Sequence, residues 1–507
     1  MELMVLKNKL GIASLLLILA TIFLKVSGLA RDITLAYFFG DSLEAGAYLA
    51  AFVIPNTIIL FLNNGMKNAL VPTYIAAQEK KGEKHHLSQV MLGTILISLI
   101  ISIAGAALAP FYIPLMYDFS GEALHIATIV TIIFFSSMVG VGMNAVLEGY
   151  FDAVERFAIS VTSQTIVTLS SILFAILFAN SWGVYSLAIG YAAGVVISLV
   201  LKLLFFIQKG TFSIRQKLDY DEIKTFFIIF IPVGLTIMVG QINLMVDYIF
   251  AGRFSESVIT YVNNAKNLVH FPQALIGVTI STVIFPIISK AQAKQDNKLF
   301  KQGIQQGINV MSLILLPAIA GMMWLMPSIV ELLFQRGAFD SQASEATTVV
   351  AYFYVGSVIF FSLQQVLNKG FYALNKGRLI LTIGLISIGL NALFNYIFTM
   401  LMGSYNGIPL ASSVMAFVYF AVSLYIFRKL INESLMKEML PDLLKIIISV
   451  ILMMGALLLL DPVLSGWGPV VTIILTGLAG SIVYGIAVIV LKVSSIKVFT
   501  SKLARKS

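Results

Sequence analysis

The chain has 507 residues, 59% hydrophobic and only 11% charged, with a mean hydropathy of +0.95 and a net charge of +9. A soluble domain carries roughly 25% charged residues, so the composition excludes that class and implies a polytopic membrane protein. Cysteine is absent, which excludes disulfides, thiolate chemistry and Cys-ligated metal.

The apolar runs have the ~20-residue length that crosses ~30 Å of hydrocarbon as a helix, too long for barrel strands. Hydropathy predicts an all-α protein with fourteen spans, near 10–30, 43–65, 87–109, 123–147, 157–179, 184–208, 223–250, 258–289, 305–333, 344–368, 378–402, 407–428, 443–460 and 468–491. The first run, Leu10–Leu24, lacks a small-residue cleavage pattern and reads as a retained span. Pro55 interrupts the second span, and Lys266, His270 and Pro272 interrupt the eighth.

Taking the N-terminus as cytoplasmic, all but six of the 33 basic residues fall in alternate, cytoplasmic segments, Lys202 and Lys209 among them. The six are Arg31, Arg253 and Arg336 in outer loops, and Lys25, Lys67 and Lys266 within or at the ends of spans. This bias predicts an even number of spans with both termini cytoplasmic, and it makes the positive charge a topology signal rather than a nucleic-acid patch.

The chain also repeats itself. FVIPN (52–56) recurs as VHFPQ (269–273), VPTYI (71–75) as FPIIS (285–289), and VLEGYFDA (146–153) as VLNKGFYA (366–373). The spacing predicts two homologous six-helix lobes, about 1–210 and 222–430, followed by an addition over 440–507 that holds spans 13 and 14 and a basic tail. Secondary transporters place substrate between such halves and rock them against each other.

Charge in hydrocarbon is costly and therefore points to function. In Leu24–Gly40, LKVSGLARDITLAYFFG, Lys25 ends an uncharged run and Arg31-Asp32 follow it. Lys25 and Arg31 lie about 120° apart on a straight helix, and Ser27-Gly28 between them is a kink site that can turn both inward. The alternative for Lys25 is snorkelling to the outer interface. Asp247 sits deep in span 7, and Asn391 and Asn395, at i and i+4, share a face of span 11. A carboxylate with amide oxygens suits a hard cation; the alternatives are an interhelical hydrogen-bond pair for the asparagines and an interfacial cap for Asp247. His85-His86, in a Lys/Glu-rich loop, read as solvated rather than metal-binding, and Gly149 and Gly370 read as packing turns. No G-x-x-x-x-G-K-[ST] loop is present, so nothing points to ATP hydrolysis.

SGLARDITLAYFFG with AYLAAFVIPN, NNAKNLVHFPQALIGVTISTVIFPIIS, LLFQRGAFD and KGFYALNKGR together resemble the MurJ/MviN flippases of the multidrug/oligosaccharidyl-lipid/polysaccharide exporter superfamily. The resemblance implies a non-enzymatic carrier, a monomer of the bacterial cytoplasmic membrane. It would move lipid II, an undecaprenyl diphosphate bearing a disaccharide pentapeptide, from the inner to the outer leaflet by alternating access. Spans 13 and 14 would shape a groove for the lipid tail. Lys25 and Arg31 match the family's first-helix basic positions; with Asp32, Arg253, Lys266 and Asn267 they form the expected substrate set. Family members with a sodium site use an Asp on span 7, an Asn-x-x-x-Asp pair on span 11 and a hydroxyl on span 12, which here implies Asp247, Asn391, Asn395 and Ser412 or Ser413. No cofactor is expected; Na+ or the membrane potential would drive the cycle, one charge across 100 mV being worth ~2.3 kcal/mol.

Three departures are visible. Val53 and Asn267 stand where the family carries arginine, and Asn395 where it carries the second acid. A carrier of another polyprenyl-linked glycan is therefore a second expectation. A drug/cation antiporter of the same superfamily is a third, disfavoured because the N-lobe's intramembrane charge is positive. An enzyme acting at the outer face is disfavoured because Asp118, Glu122 and Asp340 form no catalytic pattern.

Overall fold

The computed structural model describes residues 22–208, 210–431, 436–464 and 466–496, and these are mostly helical, with no strand among them. Residues 10–21 of the first predicted span, and Lys7, Lys9, Lys209, Lys497, Lys502, Arg505 and Lys506, expected to be cytoplasmic, lie outside the described residues.

The helices are α1 (22–39), α2 (Leu43–Glu79), α3 (Glu83–Met116), α4 (Gly121–Ser136), α5 (Met138–Ala153), α6 (Phe157–Trp182), α7 (Tyr185–Leu201) and α8 (Tyr220–Gly252). They continue as α9 (Glu256–Ala293), α10 (Asn297–Trp324), α11 (Met326–Leu333), α12 (Ser341–Ala373), α13 (Gly377–Met402), α14 (Gly407–Ile431), α15 (Met436–Leu464) and α16 (Pro469–Val490). Among the described residues, ten helices are long and apolar enough to cross a membrane, and twelve spans result when each of two bent pairs is taken as one.

Local chemistry sets the ends. Asp219, Asp296 and Asp340 each accept a hydrogen bond from the backbone N–H three residues on, at 3.1, 2.9 and 2.8 Å, satisfying donors that a helix N-terminus leaves orphaned. The predicted fourth span is broken into α4 and α5, bent by 43° at Ser137, whose hydroxyl donates back to the Phe134 carbonyl at 2.7 Å. The second span runs fourteen residues past its predicted end, to Glu79, carrying both Pro55 and Pro72 inside α2. Gly149 and Gly370 sit inside α5 and α12 rather than in turns; a Cβ on Gly370 would lie 2.7 Å from the Phe427 ring.

Left-handed backbone recurs along the chain in register. It follows α2 at Lys81 (φ 57°) and α9 at Gln295 (φ 55°), and α5 at Glu155 (φ 60°) and α12 at Asn375 (φ 56°). Non-glycine residues rarely adopt this region, so four such residues at helix ends are distinctive.

The chain forms two compact units: one up to Thr260 with Gly337–Phe339, the other Tyr261–Arg336 with the residues from Asp340 onward. In the first, α2 is central, packing against α4, α5 and α8. Gly65 and Gly234 allow α2 and α8 to approach closely, a Cβ on Gly65 falling 3.1 Å from the Gly234 Cα; small residues serve this purpose where lipid supplies no hydrophobic drive between helices. In the second, α14 packs on α12 and α13, and α15 and α16 pack on each other and on α10, where the Tyr484 hydroxyl donates to the Leu313 carbonyl at 2.7 Å. Large apolar side chains such as Phe111, Leu115 and Leu459 are exposed, as a lipid-facing surface requires.

His85 is exposed as expected, but His86 differs from its expected solvation. His86 is buried, its Nδ1 2.5 Å from Glu222 Oε1 and its Nε2 3.0 Å from Thr73 Oγ1, while His85 Nε2 lies 3.1 Å from Asp219 Oδ2. The start of α3 is thereby clasped to the start of α8. The Glu222 backbone N–H, and then the His85 ring, hold the Asp219 carboxyl below the usual carboxylate range. A carboxyl depressed on folding adds stability above its unfolded value of ~3.9, and that stability is lost as the pH falls through the lower folded value. Asp219→Asn is therefore expected to lower thermal stability at neutral pH, with the gap from wild type closing as the pH is taken below about 4. A gap unchanged by pH would contradict this.

Candidate functional site

The first-helix charges separate in the structure. Arg31 Nε and Nη2 both donate to Asp32 Oδ1, at 3.2 and 2.9 Å, and the guanidinium lies 5.1 Å from the Phe52 ring centroid. Asp32 is buried, whereas the Arg31 side chain keeps 21% of its surface exposed. The pair uses two of the guanidinium's five N–H donors, which leaves the fork able to engage an anion. Lys25 is exposed and does not line the cavity that Arg31 borders. Ser27 donates to the Phe23 carbonyl at 2.8 Å, and α1 stays helical through Ser27-Gly28.

Arg31 stands at a cavity of about 170 Å³ enclosed by α1, α2, α5, α6 and α7. Its polar lining includes Asn56 and Asn63 of α2, Asn144 and Glu148 of α5, and Gln164 and Thr168 of α6. Phe52 and Tyr191 supply aromatic faces.

At this cavity lies a charge network that the sequence reading missed. Glu148 Oε1 is 3.1 Å from Lys202 Nζ and Oε2 is 3.4 Å from Lys67 Nζ, and the carboxylate also accepts from Ser163 Oγ at 2.8 Å and Gln164 Nε2 at 2.7 Å. Lys202 Nζ further donates to Asn144 Oδ1 at 2.8 Å, and Lys67 lies 3.8 Å from Asp152. The Glu148 and Lys202 side chains are each only 2% exposed. Lys202 is thus an internal counter-ion, not the loop cation its place after an apolar run suggests. The signal was available in part: an acid just past the end of span 4 and a lysine within span 6 each call for a partner at the edge of hydrocarbon.

Arg253 is exposed at the C-terminus of α8, its guanidinium 5.1 Å from the Phe250 ring centroid. Asp247, one turn and a half earlier on α8, is fully buried. In the second unit, Lys266 is half-buried with its ammonium 5.6 Å from the Tyr354 ring centroid, and exposed Asn267 donates to Asn263 Oδ1 at 3.2 Å. Asn391 and Asn395 are both fully buried on one face of α13, joined by Asn395 Nδ2 donating to the Asn391 carbonyl at 2.9 Å. Ser412 is buried on the neighbouring α14. The structure therefore brings together Arg31 with Asp32, and Asn391 with Asn395, while Lys25 and Arg253 stay at the surface of the first unit.

Comparison with known proteins agrees with this architecture. Residues 35–478 match the family profile described as lipid II flippase MurJ. The lipid II flippase MurJ of Burkholderia cenocepacia is 24% identical over 410 residues, covering 78% of this chain and 79% of that protein. The probable lipid II flippase MurJ of Vibrio cholerae is 26% identical over 423 residues, covering 79% and 80%. Among solved structures, a lipid II flippase MurJ in an inward closed conformation superposes with a TM-score of 0.78 at 22% identity, over 97% of this chain and 100% of that one. An inward-facing multidrug resistance transporter of the MATE family superposes with a TM-score of 0.68 at 16% identity, over 81% and 96%. With the match extending over most of its length, this chain belongs to the MurJ lipid II flippase family.

Proposed function

We propose that the protein carries lipid II from the inner to the outer leaflet of a bacterial cytoplasmic membrane by alternating access, as a transporter and not an enzyme. The observation that carries this reading is the family match over 35–478 in a chain whose Arg31–Asp32 pair stands at a polar intramembrane cavity. A diphosphate leaving water must exchange hydration for charge-assisted hydrogen bonds, and a partly exposed guanidinium fork supplies them. The same reading gives cationic contacts to Lys25, Arg253 and Lys266, with Asp32 and Asn267 as their polar neighbours.

The twelve spans above become fourteen when α1 and α9 are added, giving two six-helix lobes, about 1–210 and 222–430, and two further helices. The paired left-handed turns at Lys81 and Gln295, and at Glu155 and Asn375, support that division. The excess of Lys and Arg in alternate loops supports cytoplasmic termini. The reading also takes the carrier as a monomer. A second reading, transport of another polyprenyl-linked glycan, draws support from Val53 and Asn267 standing where the family has arginine.

Depleting the protein in cells and scoring lipid II at the outer leaflet separates the two. Loss of outward lipid II is expected; an unchanged outer pool with a different exported glycan lost would favour the second reading. For the driving force, the family resemblance points to Asp247 in the first unit and to Asn391, Asn395 and Ser412 in the second as oxygen donors of the kind a sodium ion takes. Asp247→Asn is expected to remove any sodium dependence of transport, leaving the membrane potential as the drive. A sodium response identical to wild type would eliminate this set.

A further inference from the structure

The cavity beside Arg31 is larger and chemically broader than a diphosphate alone requires. Its 170 Å³ corresponds to about six waters at ~30 Å³ of liquid volume each. An anion is disfavoured beside Glu148, and a free cation is disfavoured because Lys202 and Lys67 already neutralise that carboxylate. What remains in the lining is neutral: Asn56, Asn63, Asn144, Gln164 and Thr168, with Phe52 and Tyr191 as ring faces. The Asn56 and Asn63 amides carry donors and an acceptor together, which matches hydroxyl and N-acetyl groups that also do both, whereas Asn144 spends its amide on Gly140, Val195, Ser198 and Lys202, and Gln164 donates to Glu148. Asn63 Oδ1 is buried and finds no hydrogen-bond partner among the described residues, a cost that a ligand donor would relieve.

We propose that this cavity is a saccharide subsite, taking one neutral sugar ring of the cargo while Arg31 at its border holds the adjoining phosphate. The inference rests on the diphosphate reading of Arg31. In it, the Lys67–Glu148–Lys202 network holds the Gln164 amide at the cavity wall, its Nε2 donating to Glu148.

The test uses the purified full-length protein in detergent and two short-chain probes, farnesyl diphosphate and farnesyl diphosphate bearing one N-acetylglucosamine. Wild type is expected to bind the sugar-bearing probe at least tenfold more tightly. Asn56→Leu and Asn63→Leu, whose side chains lie outside the ion network, are expected to erase that preference while leaving farnesyl diphosphate unaffected. Should either variant fail to elute as a monodisperse species, Val167→Phe, which fills the same space from α6, gives the same readout. Equal affinity of wild type for the two probes, or variants that weaken both probes alike or neither, would overturn the proposal. Arg31→Ala is expected to weaken both probes. If it weakens neither while the asparagine variants still erase the sugar preference, the diphosphate reading fails and the saccharide subsite stands.

Discussion

Replacing Arg31 by alanine is expected to reduce lipid II transport about 100-fold at matched protein abundance, because ~1.5 kcal/mol is lost at each of two charge-assisted hydrogen bonds to the cargo. The size of the effect comes from the site. Arg31 is packed against Phe52 and pinned by Asp32, so its fork is pre-oriented and little entropy is lost when an anion docks. Arg31→Lys keeps the charge but not the fork, and is expected to recover only part of the activity. Lys25→Ala should cost no more than several-fold, since the Lys25 side chain is exposed and away from the cavity. Equal losses at the two positions would place both cations on one ligand and restore the turned-in geometry suggested by Ser27-Gly28. Transport has to be compared with the amount of folded protein, because Arg31→Ala also strips a partner from buried Asp32.

The largest effect on stability is expected at Glu148. Its carboxylate is surrounded by two lysines and two neutral donors, and Lys202 is as deeply buried as Glu148 itself, while Lys67 stays partly exposed. Removing one member of a buried ion pair leaves the other charge uncompensated, at a cost of about 3–5 kcal/mol. Glu148→Leu is expected to fall in that range, measured as loss of folded protein on heating in detergent. The double variant Glu148→Leu with Lys202→Met removes both charges, and is expected to be more stable than Glu148→Leu alone. If the double variant loses as much as the two single losses added together, the pair is not coupled and the network has been misread.

The element types were legible because each apolar run is long enough to cross hydrocarbon, a property of composition and length alone. Arg31 and Asp32 were legible for a related reason: a charge within such a run is rare enough to identify itself. The proline and glycine landmarks suggested a repeat, and positive-φ residues follow both α2 and α9 and both α5 and α12. Hydropathy does not record which charges meet across helices. Glu148 and Lys202 are 54 positions apart, and only the packing of α5 beside α7 makes them partners. The bend at Ser137 was hidden for a different reason. A serine hydroxyl bonding back to its own helix costs little in hydrophobicity, so the fourth run reads as continuous although its backbone is not. His85 and His86 look like loop residues because their partners, Asp219 and Glu222, lie more than 130 positions away.

The most direct test is reconstitution of the purified protein into liposomes loaded with lipid II, with one leaflet's pool read by a reagent that cannot cross the bilayer. Wild-type protein is expected to make the protected pool accessible, and Arg31→Ala protein, inserted at the same density and equally folded, to leave it protected. Transfer of lipid II by wild type and Arg31→Ala at the same rate would contradict the assignment of the Arg31 cavity as the path of the cargo.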